Sequence, residues 1–310
     1  MKNPKLYVII VTYNGMKWID RCLKSVLDSS INLSIVVVDN NSTDQTVDFI
    51  TNHYQQVEVV ASVKNHGFGQ ANNIGIEIAY RKGADFFFLL NQDAYVQERT
   101  IEDLVKSSCL NSDFSMISPV HYNGNGDALD LKFSNYIIPS RCKNLYSDLF
   151  TDSLKDEIYE ANFVNAAAWL ITKSCILSVG GFNTSFFHYG EDDNYVQRLK
   201  YHNLKIGVYP NSFIYHDREN RTTNSFYEDK LLIYQRDIIG KSSNPLVEFT
   251  FNKEFYKIYK NLIKSILRFS LNKIKINYLK IRVLSKINKS EILHNKQLSK
   301  LNKNPFLNLS

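Results

Sequence analysis

The 310-residue chain is 44% hydrophobic and 22% charged, enough apolar content for a sizeable core in one large domain, with or without an appendage. No run approaches the roughly 20 apolar residues of a transmembrane helix, and the apolar part of the opening MKNPKLYVIIVTYNG is too short for a signal-peptide core. The four cysteines (Cys22, Cys109, Cys142, Cys175) lie far apart with no CxxC or Cys/His pairing, so neither a disulfide framework nor a zinc site is indicated and a reducing cytoplasm is the expected setting. The net charge of +6 is unevenly spread: residues 241–310 hold 15 Lys and Arg against 3 Glu, while residues 1–240 hold 22 against 28 acids. Because the body is acidic, no nucleic acid is expected as a partner.

From residue 6 to 118, short apolar runs alternate with helical patterns. The segments 6–11, 35–38, 57–61, 86–90 and 116–117 read as buried strands, and 18–27, 43–50, 70–80 and 101–109 as helices. Ser42 and Gln45 have capping-box spacing, and Thr100 opens a helix with acids in its first turn. Such alternation predicts an α/β fold with a doubly wound, mostly parallel sheet, in which ligands bind beyond the carboxyl ends of the strands. Residues 119–160 have no clear period and read as an insertion or long loop. Two further strands are expected at 205–209 and 212–216, and a basic, helical extension at 241–310 behind a body of residues 1–240.

Polar clusters sit where the strands end. Thr12-Tyr13-Asn14 and Asp39-Asn40-Asn41 suit a nucleotide: Asp39 accepts from base or ribose, Thr12 and Asn14 grip oxygens, and Tyr13 packs on a ring. Each turn alone also reads as a helix cap. NHGFGQANNIG, from Asn65 to Gly75, leads three glycines into a helix start that favours anions. The triplet Asn91-Gln92-Asp93 ends a core strand; Asp93 suits Mg²⁺ or Mn²⁺, which need only one or two protein oxygens beside a diphosphate and water. Three acids, Glu191-Asp192-Asp193, open a further helix; at roughly 100° per residue they cannot all face one way, and clustering raises proton affinity as a general base requires. His216 ends a strand and can join Asp93 at a metal, and Arg218 or Arg221 can pair with phosphate.

Taken in order, VTYNG, VVDNNSTD, NHGFGQANNIGI, FFFLLNQD, GGFN, FHYGEDDNYVQRL and YH resemble the successive motifs of the family 2 glycosyltransferases, of GT-A fold, over about residues 5–220. The triplet reads NQD where many members carry DxD; NPD-like forms occur among members that resemble rhamnosyltransferases and other cell-surface sugar transferases. The resemblance implies an inverting, metal-dependent transferase in surface polysaccharide synthesis. It would take a nucleoside-diphosphate sugar, UDP or dTDP being the expected carrier, and move the sugar to a hydroxyl of a glycan or lipid-linked acceptor. It further implies Thr12, Tyr13, Asn14, Asp39, Asn41, Asn65, Asn73, Asn91 and Gln92 at the donor, Asp93 and His216 at Mg²⁺ or Mn²⁺, and Asp192, with Glu191 beside it, as the base. Acceptor contacts are expected from 119–160 and 182–189.

The tail mixes lysines with Ile, Leu, Phe and Tyr, which suits either the anionic inner face of a membrane or packing on the body. Two other functions fit parts of the pattern. One is a catalytically silent, glycan-binding or scaffold module; the other is a sugar nucleotidyltransferase, which lacks here a glycine- and lysine/arginine-rich triphosphate loop near the first strand.

Overall fold

The computed structural model describes residues 4–218 and 229–309. Leu6–Thr12 (β1), Ser34–Asp39 (β2), Glu58–Ala61 (β3) and Phe86–Asn91 (β4) pair in parallel in the order β3-β2-β1-β4. They are joined through Ile19–Leu27 (α1), Thr46–His53 (α2) and Phe68–Arg81 (α3). Successive residues of a strand point to opposite faces. Ile9, Val36, Val38, Phe87 and Leu89 therefore enter one core with Ala71, Ile76 and Ala79 of α3. Val8, Ile10, Val37, Phe88 and Leu90 enter the other with Ile19, Leu23 and Val26 of α1. With both faces covered, the strands are apolar runs rather than alternating ones.

The chain continues through Ala94–Val96 (β5), Thr100–Leu110 (α4), Phe114–Asn123 (β6), Leu131–Ser134 (α5), Leu145–Phe150 (α6), Tyr159–Glu160 (β7) and Ala168–Thr172 (β8). Lys173–Val179 (α7), Glu191–Tyr201 (α8) and Lys205–His216 (β9) follow. The sheet extends from β4 in the order β8-β6-β9-β5, with β8 antiparallel to both neighbours and β5 antiparallel to β9. The sheet is thus parallel around β1 and mixed beyond β4. The two runs expected at 205–209 and 212–216 are one strand, because the pairing with β6 slips between Pro119 and Val120 and absorbs the polar residues between them.

Two local expectations are corrected. The helix expected from 43 starts at Thr46, and Ser42 does not cap it. Ser42 and Asp44 instead accept from the backbone N–H groups of Asn14 and Met16, and Thr43 N–H donates to Asn14 Oδ1, so these residues tie the β1 turn to the β2 turn. Residues 119–160 are no detached loop: Phe133, Ile137, Cys142 and Leu145 are buried in the same core as Trp169.

Beyond the body, Lys230–Ser243 (α9), Phe251–Leu267 (α10), Leu271–Lys286 (α11) and Lys289–Leu298 (α12) share a small apolar cluster of Ile238, Phe251, Ile258, Leu284, Ile287 and Ile292. The expected boundary at 240/241 falls inside α9. The last residues return to the body, where Leu307 and Leu309 pack on its core and Gly181 N–H donates to Pro305 O. Among the described residues no helix is long and apolar enough to cross a membrane.

Candidate active site

Pairing brings the strand ends together, with Thr12 opposite Asp39 and Val11 opposite Asn91. The polar groups there largely hold one another. Thr12 Oγ1 donates to Asp39 Oδ1 at 2.8 Å, and Ser42 N–H donates to Asp39 Oδ2 at 2.8 Å. Tyr13 N–H donates to Gln92 Oε1, and Gln92 Nε2 donates back to Tyr13 O, so one amide clamps the turn after β1. Asn40 Nδ2 donates to Asn65 Oδ1, and Asn40 Oδ1 accepts from His66 N–H, which fixes the entry to α3. Gly67, at φ +77°, permits that entry: a Cβ there would lie 1.9 Å from the Phe187 carbonyl oxygen, and positive φ disfavours other residues.

Asp93 and His216 meet because β5 begins directly after Asp93 and pairs antiparallel with β9, Ala94 opposite His216. Asp217 N–H donates to Asp93 O, closing the ladder. His216 Nε2 lies 3.5 Å from Asp93 Oδ1, with both side chains essentially fully buried. On the other side of the ring, Nδ1 lies 3.7 Å from Asp130 Oδ2, and Arg218 makes a two-pronged pair with that carboxylate. Asp130 is held by Phe133 N–H and by its own N–H donating to His121 O.

One carboxylate oxygen and one imidazole nitrogen at this spacing fit a divalent cation whose remaining positions go to diphosphate and water. The mixed O/N pair suits Mn²⁺ better than Mg²⁺, which prefers oxygen. Among the described residues, no group of three or more His, Cys, Asp or Glu forms a cation cage.

The acids line the same cleft as this pair from the start of α8, where Gly190 takes φ +97°. Glu191 is buried and its Oε2 has no hydrogen-bond partner; Asp192 is half-buried and its Oδ1 accepts from Asp193 N–H; Asp193 is exposed. Burial, reinforced by the Asp192 charge, pushes Glu191 up to about 8. Burial and the Asp193 charge push Asp192 up to about 6. Both carboxyls are therefore harder to ionise than ordinary ones, Glu191 the more so because it is the more deeply buried.

A cleft of about 1800 Å³ joins these parts. It exceeds the roughly 300–1,000 Å³ of a typical small-molecule site, so it has room for two substrates. Tyr13, Asn14, Asn65, Asn91, Gln92, Asp93, Glu191, Asp192 and His216 line it. Thr12, Asp39, Asn41 and Asn73, also expected at the donor, do not line it. Thr12 and Asp39 are consumed in their mutual bond, and Asn41 points outward at φ +65°. Asn73 is turned to the protein, accepting from Phe182 N–H and donating to Phe182 O. Residues given no individual role by the sequence are Asn40, Lys17, Trp18, Asp130, Tyr136, Arg141, Asn165, Gln197 and Arg236, all lining the cleft. Of these, Asn40 lies in a strand-end cluster expected at the nucleotide, and Asp130, Tyr136 and Arg141 lie in the stretch expected at the acceptor. Arg221 lies outside the described residues.

A doubly wound sheet with these strand-end turns, extended by antiparallel strands that carry the carboxylate and imidazole, is the GT-A fold. Staphylococcus aureus TarS residues 1–349 in complex with UDP-GlcNAc superposes with a TM-score of 0.57 at 15% identity, over 96% of this chain and 90% of TarS. GalNAc-T7 with UDP, GalNAc and Mn²⁺ gives 0.55 at 15% identity, over 78% and 51%. At such identities the likeness is one of fold. Residues 7–159 match the family described as Glycosyl transferase family 2. Among curated relatives, the dTDP-rhamnosyl transferase RfbF of Shigella flexneri is 29% identical over 33% of this chain. The low-salt glycan biosynthesis hexosyltransferase Agl10 of Haloferax volcanii is 23% identical over 65%. The matched stretches span 34% and 64% of those two relatives.

Proposed function

We propose that the protein transfers a sugar from a nucleoside-diphosphate donor to a hydroxyl of a glycan or lipid-linked acceptor, with inversion at the anomeric carbon. The observation that carries the proposal is a concentration of buried polar atoms without a hydrogen bond from the protein around one cleft: Asn91 Oδ1, Asn165 Oδ1, Glu191 Oε2, Gln197 Oε1 and both nitrogens of His216, which has only the longer ion-pair contacts to Asp93 and Asp130. Buried polar groups are normally hydrogen-bonded, so their gathering here fits a polar ligand, and the acids of α8 fit deprotonation of a nucleophile.

Tyr13, Asn14, Asn65 and Asn91 hold the nucleotide end, with Asn40 and Gln92 fixing the turns that present them. UDP or dTDP is the expected carrier, in keeping with the dTDP-rhamnosyl transferase and with TarS, described in complex with UDP-GlcNAc. Asp93 and His216 would hold Mn²⁺ or Mg²⁺, which would supply positive charge against the departing diphosphate. Asp192 takes the proton of the attacking hydroxyl, which approaches from the face opposite the diphosphate. Glu191, protonated, keeps a second negative charge away from that carboxylate. Tyr136, Arg141 and the aromatic segment around Phe187 frame the acceptor end. The setting is surface polysaccharide synthesis at the cytoplasmic face of a membrane, with 241–310 as the contact.

The test is thermal stabilisation by UDP, dTDP, GDP and CMP with and without Mn²⁺, on wild type and Asp93→Ala. A shift for one diphosphate that needs both Mn²⁺ and Asp93 is expected. No shift with any nucleotide in either condition would remove the transferase reading and leave a silent module.

A further inference from the structure

The helical hairpin formed by α10 and α11 turns an apolar surface outward. Its inward face is accounted for: Phe251, Ile258 and Leu284 are buried in the cluster shared with α9 and α12. A second stripe on α10 runs through Tyr256, Tyr259, Ile263 and Ile266, spaced three or four residues apart and each at least half exposed. That spacing aligns side chains along one face of a helix. Lys253, Lys257, Lys260 and Lys264 follow the same spacing beside it.

At the turn, Leu267, Phe269 and Leu271 are 74%, 90% and 79% exposed. Phe269 sits just past the end of α10 at φ +51°, a left-handed position usually given to glycine or asparagine. Packing within the chain does not explain a phenylalanine there, since its ring touches solvent almost entirely. Residues 251–286 hold ten Lys and Arg against a single acid, Glu254, while the body is net acidic.

We infer that the α10–α11 hairpin docks on an anionic lipid bilayer, inserting Leu267, Phe269 and Leu271 and resting the lysine rows on the headgroups. Charge complementarity selects this occupant. A second copy of the hairpin would bring two strongly cationic surfaces together, whereas anionic headgroups neutralise the lysines as the apolar stripe leaves water. The hairpin is joined to the cleft through α9. Lys280 lies 5.0 Å over the Tyr234 ring, the Tyr234 hydroxyl donates to Glu254, and Arg236 and Lys241 of the same helix line the cleft. Docking therefore tethers the cleft to the bilayer, where a lipid-linked acceptor would be met. That last step rests on the transferase reading; docking itself does not.

The experiment is co-sedimentation of the full chain with vesicles of phosphatidylcholine alone or with one quarter phosphatidylglycerol, at 100 and 500 mM NaCl. It compares wild type, a triple variant (Leu267→Ser, Phe269→Ser, Leu271→Ser) and a charge variant (Lys257→Glu, Lys260→Glu, Lys264→Glu). Wild type is expected to bind anionic vesicles at least tenfold more tightly than neutral ones, with binding weakened by salt. Either variant is expected to lose at least tenfold while keeping the wild-type melting temperature. The inference is overturned if wild type ignores phosphatidylglycerol, if both folded variants bind as well as wild type, or if the patch instead drives self-association in solution. Nucleotide-dependent thermal shifts on the same preparations report the transferase reading separately, so the failure of one is distinguishable from the failure of the other.

Discussion

Asp192 and Glu191 stand side by side at the start of α8 yet differ in environment, and that difference divides their roles. A base must be ionised to accept a proton, so turnover is expected to rise with pH through about 6, where Asp192 ionises. At pH 5 the rate should be roughly tenfold below its plateau, and a rate flat between pH 5 and 7 would contradict the assignment. Glu191 acts on stability with the opposite sign. Its folded value of about 8 lies above the ordinary 4.5, so the stability it contributes is present below pH 4.5 and lost as pH rises through 8. Glu191→Gln should therefore match wild type in melting temperature near pH 4.5 and exceed it at pH 9. The sequence made the Glu-Asp-Asp helix start visible, because clustered acids before a helix are visible in one dimension. It did not separate Asn73 from Asn14. An amide near a turn reads the same whether it lines the cleft or, as with Asn73, binds a backbone 109 residues away.

Elements carry the site through a few buried polar contacts at their ends. Arg198 on α8 is fully buried and donates to Val179 O, Gly181 O and Asn194 Oδ1. Burial drops its guanidinium to about 10. These bonds pin α8 to the end of α7, and with it the angle at which the acids enter the cleft. Arg198→Leu is expected to cost about 3 kcal/mol, since it leaves buried carbonyls without donors; urea denaturation measures this, and a loss under 0.5 kcal/mol would contradict the role. The strands of the parallel half were legible as apolar runs because helices cover both faces of the sheet. Residues 119–160 were not, because their order comes from scattered contacts such as Phe133 and Leu145 rather than from a period. That stretch nonetheless supplies Asp130, Tyr136 and Arg141 to the cleft.

At the scale of the whole molecule, the cleft draws on widely separated parts of the chain, from Val11 to Val247, and the C-terminal residues brace its frame. Asn73 Nδ2 donates to Phe306 O as well as to Phe182 O, and Arg81 donates to Asn308 O. Removing residues 303–310 is expected to destabilise the body by about 3 kcal/mol, through lost burial of Leu307 and Leu309 and of these bonds; unchanged stability would make the last segment a passive tail. A basic tail was evident from composition, but its return to the core was not, because that contact depends on the turn at Gly180–Phe182 rather than on any pattern in the tail. The most direct measurement of the central claim is release of nucleotide from UDP- and dTDP-sugars by wild type and Asp192→Asn, with nucleotide affinity determined on both. Wild type should turn over one donor class, and the variant should lose about 10²–10⁴-fold in rate with its affinity nearly unchanged. Near-normal turnover by Asp192→Asn, or none by wild type with any donor, would contradict the account.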